Sequence, residues 1–98
     1  MADPVRLTQL ARLLGRPDLL AAEHDVGLPA MVQRAVDGAF DRLVRGLLEE
    51  AAASDDVVDA ASAAAFIDDR LAFLGDLLSE EQRRRLSEAC RKVTEGWG

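Results

Sequence analysis

Apolar side chains recur every three or four residues along most of the chain, which is the spacing of amphipathic helices. In the first such stretch they are Leu7, Leu10, Ala11 and Leu14. Asp3 followed by Pro4 is typical of a helix start, and Gly15 followed closely by Pro17 is typical of a helix end. We therefore predict a first helix over residues 4–14 and a short second helix over about 17–24.

A third apolar stretch begins after Pro29 and predicts one helix over about 29–53. Its main stripe is Val32, Val36, Ala39, Leu43 and Leu47, and it is widened by Ala35, Phe40, Val44 and Ala51. Gly38 and Gly46 lie inside this helix, where each costs about 1 kcal/mol relative to alanine. Close approach of another backbone at these two positions would offset that cost.

A fourth helix is predicted after Ser54-Asp55-Asp56, which supplies a cap and acidic residues for the first turn. The apolar positions that define it are Val57, Ala60, Ala64, Ile67, Leu71, Leu74 and Leu78. Phe66, Phe73 and Leu77 add a second apolar edge, so we expect burial on two sides. No Gly or Pro separates the third and fourth stretches, and one continuous long helix stays open as an alternative.

The last helix has the clearest local signal. Ser79 and Gln82 have the spacing of a capping box, in which each side chain accepts a hydrogen bond from the other residue's backbone N–H. We expect Gly96 to adopt the left-handed conformation after the helix and Trp97 to fold back onto Val93. Together these patterns predict an all-α fold, a bundle of four to five helices packed mostly antiparallel, in one domain over residues 1–98.

Charge and composition exclude several classes of function. The net charge of −6 disfavours nucleic-acid binding and a peripheral membrane helix, since both need a basic face. No apolar run approaches the roughly 18–20 residues of a membrane span, and the first residues lack the pattern of a signal peptide. The single cysteine, Cys90, cannot form an internal disulfide. We therefore expect a cytoplasmic protein.

Candidate chemistry is sparse. Glu23-His24-Asp25 contains the only histidine, but three consecutive helical residues point in different directions and do not converge on a metal. Cys90 has no histidine nearby in sequence to act as its base, and we expect a buried, inert thiol. We therefore predict no catalytic residue, no metal, no cofactor and no small-molecule ligand.

Charged residues follow two patterns that indicate surfaces. Arg34, Asp37, Asp41 and Arg45 are spaced as an ion-pair ladder on a solvent-facing side of the third helix. Residues 51–82 carry a net charge of −7 and residues 83–98 a net charge of +3. The last two helices are thus electrostatic complements, able to pair within one chain or between chains.

Two short stretches resemble known motifs. Residues 7–26 resemble a helix-turn-helix, with Ala11 as the small residue and Gly15 as the turn glycine, which implies a transcriptional regulator. The second helix of that stretch, DLLAAEHD, carries no Arg or Lys. Residues 78–86, LSEEQRRRL, are similar to the LTxxQ element of a family of periplasmic helical chaperones and metal-stress sensors, with Ser79 in place of Thr. That resemblance implies a stress- or metal-responsive helical chaperone.

Abundant apolar helical surface, without a catalytic set, favours a small non-catalytic protein that acts through protein–protein contacts as a regulator, adaptor or assembly subunit. We expect its partner to be a second copy, in a homodimer, or another helical protein. The interface residues that we predict are Val36, Ala39, Phe40, Leu43, Leu47, Ile67, Leu71, Leu74 and Leu78. The helix-turn-helix regulator and the chaperone are the alternatives.

Overall fold

The computed structural model describes residues 4–21 and 26–97, apart from the side chains of Pro4 and Asp76. Over these residues the chain forms six α-helices and no strand, which confirms the predicted all-α bundle. The helices are α1 Pro4–Leu14, α2 Asp18–Ala21, α3 Leu28–Gly38, α4 Phe40–Ala53, α5 Ala60–Leu74 and α6 Glu80–Thr94. A 3-10 turn, Gly75–Leu77, joins α5 to α6.

Side-chain contacts fix how the helices run relative to one another. Gln9 Nε2 of α1 donates to Glu50 Oε1 of α4 at 2.9 Å, and Leu13 of α1 lies against Gly46 of α4. As α1 runs from Gln9 to Leu13, its contacts on α4 move back from Glu50 to Gly46, so this pair is antiparallel. In the last two helices, Asp68 meets Ser87 at 3.2 Å, and these two helices are antiparallel as well.

One apolar core runs through the bundle. Most leucines of α1 and α4 and the apolar stripe of α5 are buried together with Leu86 and Cys90 of α6. Leu13, Phe40, Val57 and Trp97 are partly buried and pack against this core. The three-and-four spacing of the sequence therefore corresponds to burial within a single chain.

The predicted end of α1 is confirmed at Gly15. Its φ of 67° is in the left-handed region, which glycine adopts without steric penalty. The guanidinium of Arg42 of α4 lies against Gly15, 2.5 Å from where a Cβ would stand, but it is the end of a flexible side chain and can move. Gly15 is thus required by its own backbone conformation. The proposed cap Asp3 and the end of the second helix, 22–25, lie outside the described residues.

The single helix predicted over 29–53 is wrong, because the chain leaves helical geometry at Ala39. Its φ of −126° and ψ of 32° separate α3 from α4. The Ala39 N–H still donates to the Ala35 carbonyl, and the Ala39 carbonyl accepts from Leu43, both at 3.0 Å. One residue therefore bends the chain without leaving its backbone groups unbonded. No side chain caps the start of α4.

The predicted start of the fourth helix is also wrong, as is the continuous helix. Ser54 ends α4, and α5 begins only at Ala60 after a loop. Its cap is Asp59, whose Oδ1 accepts from Ser62 N–H at 2.8 Å while Ser62 Oγ accepts from Asp59 N–H at 3.0 Å. The apolar stripe concealed this loop because Val57 packs against the core from outside any helix. The Asp-x-x-Ser spacing was the signal for the true start.

The prediction that Leu78 belongs to the fourth helix is also wrong. Helix α5 stops at Leu74, and Gly75, with a φ of 49°, begins the 3-10 turn. Leu78 lies after this turn and is still only 3% exposed, so its burial continues the pattern without continuing the helix.

The capping box of α6 is confirmed. Gln82 N–H donates to Ser79 Oγ, and Ser79 N–H donates to Gln82 Oε1, both at 3.1 Å. The left-handed Gly96 is wrong, since Gly15 and Gly75 are the positive-φ residues of the described chain. The helix ends instead in a tight turn, in which Trp97 N–H donates to the Thr94 carbonyl at 2.9 Å.

Candidate functional site

The structure places most of the predicted interface residues inside the chain. Seven of the nine are no more than 4% exposed. These are Val36, Leu43, Leu47, Ile67, Leu71, Leu74 and Leu78. Ala39 and Phe40 are half-buried and are the two that keep some accessible surface. A partner cannot contact the seven without unfolding the bundle, so self-association, which stays a prediction, needs a different set of side chains.

The wide apolar stripes have a simple origin. Helix α4 packs against α1, α5 and α6, so it needs apolar residues on more than one face. At its start Phe40 lies under the guanidinium of Arg85 of α6, with 5.2 Å from Arg85 Cζ to the ring centroid. Neighbours within the chain therefore cover the apolar side of α4. The burial predicted for the second edge of the fourth helix is incomplete, because Phe66 and Leu77 are half-buried and Phe73 is 38% exposed.

An open depression in the described surface, the α4 groove, follows the outer side of α4. It has a volume of about 1190 Å³. Its lining residues are Arg12, Leu13, Asp37, Gly38, Ala39, Phe40, Asp41, Arg42, Arg45, Gly46, Glu49, Glu50 and Ala53. Leu13, Ala39 and Phe40 give it an apolar base, and charged side chains surround that base.

Two acidic residues of the α4 groove are already engaged by the rest of the bundle. Asp37 Oδ1 accepts a hydrogen bond from Gln82 Nε2 at 3.0 Å. Glu50 Oε1 accepts from Gln9, and its Oε2 is buried 3.7 Å from Arg70 Nε. Both carboxylates therefore already accept a hydrogen bond within the chain.

Five other charged residues of the groove remain available. Within residues 4–21 and 26–97 none of them forms a hydrogen bond or an ion pair through its side chain. They are Arg12, Asp41, Arg42, Arg45 and Glu49. Asp41, Arg45 and Glu49 follow one another at four-residue steps, a spacing that permits pairing along one helix. The predicted ladder that included Arg34 is divided by the bend at Ala39, and its members do not pair.

Gln82 has a role that its capping-box spacing did not reveal. It is 6% exposed, and its Nε2 donates to the Gln33 carbonyl and to Asp37, both at 3.0 Å. Its Oε1 accepts from Ser79 N–H. One side chain thus caps α6 and fixes the end of α3, immediately before the bend that opens the α4 groove.

The remaining candidate residues are the segment 23–25 and Cys90. Glu23, His24 and Asp25 lie outside the described residues. In the described part, no group of three or more His, Cys, Asp or Glu side chains is placed to hold a metal ion. Cys90 is fully buried, and burial raises the pKa of its thiol from 9.0 to about 11.

The segment that resembles a helix-turn-helix is described in part. Leu7, Leu10, Ala11 and Leu14 are buried, and α2 covers Asp18–Ala21. Arg16 forms two hydrogen bonds of 2.9 Å to Asp18, and this pairing holds the pKa of the Asp18 carboxyl below its usual value. The regulator and the LTxxQ-type chaperone both stay predictions.

Oppositely charged residues of α5 and α6 contact each other within the chain. Asp68 accepts a hydrogen bond from Ser87 and lies 3.8 Å from Arg91 Nη2. These contacts are solvent-exposed, and they orient the two helices more than they stabilise them.

No helix of the described residues is both long and apolar enough to cross a membrane. Comparison with known proteins gives no match: no protein-family model, no curated protein and no solved structure is similar to this chain.

Proposed function

We propose that this chain is a small, non-catalytic, cytoplasmic interaction protein that binds a helical protein surface in the α4 groove. The observation that carries this proposal is the set of five charged side chains, without partners among the described residues, around an apolar base. Protein interfaces commonly combine such an apolar centre with a polar rim. The charges then select the partner and its orientation.

The position of the groove supports the same function. Its base includes Leu13 and Phe40, which pack on the core from below and keep accessible surface above. Both residues are held by neighbours: Leu13 lies against Gly46, and Phe40 lies under Arg85. A partner would therefore meet a surface already fixed in shape, which reduces the entropy lost on binding.

Site-specific photo-crosslinking tests the proposal in cells that produce the protein natively. A photoreactive amino acid replaces Arg45 in the groove or, as a matched control, Lys92 on the exposed face of α6. We expect a discrete protein adduct from position 45 and none of that mass from position 92. Absence of an adduct at 45, or the same adducts from both positions, would contradict the proposal. The mass of the adduct identifies whether the partner is a second copy or another protein.

A further inference from the structure

We propose that the bend at Ala39 is a hinge through which two copies of this chain exchange α1, α2 and α3. In the exchanged form α3 and α4 are one straight helix over residues 28–53, and the first three helices of each copy pack on the last three of the other. Such an exchange needs no new surface, because it re-forms between copies the contacts that one chain already makes. The inference goes beyond the proposed function, since the second copy does not lie in the α4 groove.

Three backbone N–H groups at the start of α4 have no hydrogen-bond partner among the described residues. They belong to Phe40, Asp41 and Arg42. In a continuous helix each would donate to the carbonyl four residues before it, at the end of α3. The bonds of Ala39 already follow that pattern, because its N–H donates to Ala35 and its carbonyl accepts from Leu43. Straightening the bend therefore gains three backbone hydrogen bonds in each copy and keeps both of those at Ala39.

The buried side chains on the two sides of the bend are in phase for such a helix. They are Val32 and Val36 of α3 and Leu43 and Leu47 of α4, all fully buried. Their spacings of four, seven and four residues place them on one face of a continuous helix. Residues 37–42 contain no proline, so their covalent structure permits a straight helix there. The same sequence is therefore compatible with the bent and the straight form.

A second copy is the occupant because a straight chain on its own loses part of its core. Val32 and Val36 are fully buried in the bent chain, and straightening removes them from their neighbours. The surface that they leave already fits α3. The α3 of another copy refills it contact by contact, including the hydrogen bonds from Gln82 to Gln33 and Asp37. A different protein would have to match a surface that this chain's own helix already fits.

The closed bundle resists the exchange, so we expect it to be slow. Leu7 and Leu10 of α1 are buried in the common core, and they must leave it before α1 packs on a second copy. The exchange therefore reaches side chains, such as Leu43, that are inaccessible to a partner of the folded bundle. It also alters the α4 groove, whose lining includes Asp37 and Gly38 ahead of the bend.

A disulfide between copies tests the exchange directly. A Cβ at position 46 would stand 4.0 Å from Cβ of Leu13, within the roughly 3.5–4.5 Å of a disulfide. Leu13→Cys is made in one full chain and Gly46→Cys in another, each in the Cys90→Ala background, so that each chain has a single cysteine. The two are mixed at millimolar concentration, warmed under reducing conditions to the midpoint of thermal unfolding, cooled and then oxidised. We expect a covalent dimer with a 13–46 linkage, identified by mass spectrometry of its peptides.

Two controls separate exchange from association of closed bundles. In a closed bundle each new cysteine faces its own chain, so a mixture that is oxidised without warming should give no 13–46 linkage. The double variant Leu13→Cys/Gly46→Cys, again in the Cys90→Ala background, forms the disulfide within one chain. Warming it after oxidation should give no dimer, because α1 can no longer leave α4.

Asp41→Pro and its control Asp41→Ala test the hinge. The Asp41 side chain is exposed and its N–H has no partner in the described chain, so the first turn of α4 tolerates proline in the bent form. In the straight helix proline removes the bond to the Asp37 carbonyl and clashes with it. We expect Asp41→Pro to lower the association constant after warming at least about hundredfold, and Asp41→Ala to associate as the wild type does. Light scattering behind size exclusion measures association, and circular dichroism verifies the fold of both variants.

Three results would overturn the inference: a wild-type chain that stays monomeric after warming at millimolar concentration, a dimer in which no 13–46 linkage forms, or equal association of Asp41→Pro and Asp41→Ala. None of them bears on the adduct at position 45, which tests the proposed function separately.

Discussion

The α5–α6 hairpin and the α3–α4 pair are both two consecutive helices, yet their ends are determined in different ways. In the hairpin each helix begins with a capping box, at Asp59 and at Ser79. In the other pair neither start has a side-chain cap, and a single residue, Ala39, separates the helices. Local hydrogen bonds thus define the hairpin, whereas packing against the rest of the bundle defines the bend.

The difference explains where the accessible surface lies. A capping box gives the free N–H groups at a helix start partners from its own sequence, so the starts of α5 and α6 are determined locally. At Ala39 the bend separates the direction of α3 from that of α4 and leaves the residues around it in the α4 groove. Gln82 connects the two regions, since it belongs to the capping box of α6 and also holds the end of α3.

Gln82→Ala should lower the free energy of unfolding the most, because Gln82 makes hydrogen bonds in both regions. The substitution removes the common partner of the Ser79 N–H, the Gln33 carbonyl and the Asp37 carboxylate, a side chain that is itself 6% exposed. We expect a loss of about 2–3 kcal/mol in the free energy of unfolding, since three hydrogen bonds of about 1 kcal/mol each are lost. Urea denaturation measures it.

Two control variants divide this loss between the regions. Ser79→Ala removes the cap alone and should cost about 1 kcal/mol. Gln82→Glu keeps the acceptor for Ser79 N–H but places a second carboxylate beside Asp37, so it should be more destabilising at neutral pH than in acid, where one carboxylate is protonated. If Gln82→Ala costs no more than Ser79→Ala, the contact with α3 contributes nothing.

Sequence reasoning predicted what is local or periodic. The all-α class follows from apolar spacing, and the start of α6 follows from Ser79 and Gln82, which lie three residues apart. The bend at Ala39 could not be predicted in the same way. Val36 and Leu43 keep helical spacing across it, because both reach the same core, and Gly38 is exposed and gives no periodic signal.

The site was harder to predict than the fold. Apolar spacing predicts Leu43 and Leu71 as interface residues, but both side chains are buried against other helices of the same chain. The residues of the α4 groove come from α1, α3 and α4 and are brought together by the bend. Sequence spacing alone does not show which charged residues already have partners, as Asp37 and Glu50 do.

Gly38→Ala should raise the free energy of unfolding, and Gly46→Ala should raise it less or lower it, because the two glycines differ in surroundings. A methyl group at Gly38 meets nothing within 4 Å, so the gain in helix propensity should raise the free energy of unfolding by about 0.5–1 kcal/mol. A methyl group at Gly46 stands 2.9 Å from Leu13 Cδ2, which must move. We therefore expect a smaller gain or a loss there, measured by urea denaturation at a concentration where the chain is monomeric. Equal gains at both positions would show that α1 does not pack closely on α4.

The smallest effect is expected from ionisation of the Cys90 thiol, which should not change the free energy of unfolding at neutral pH. The thiol reports how tightly the hairpin is closed. Burial between α5 and α6 raises the pKa of this thiol from 9.0 to about 11. The folded protein therefore holds the proton more tightly than the unfolded chain. The stabilisation is complete below pH 9.0 and is lost as the pH rises towards 11. Cys90→Ala should remove that alkaline slope.

Alkylation at pH 8.5 compares the hairpin with the bend. The variant Ala39→Cys in the Cys90→Ala background places the single cysteine at the bend. We expect Cys90 in the wild type to react at least about tenfold more slowly than this cysteine. Similar rates at the two positions would mean that the hairpin opens as readily as the bend.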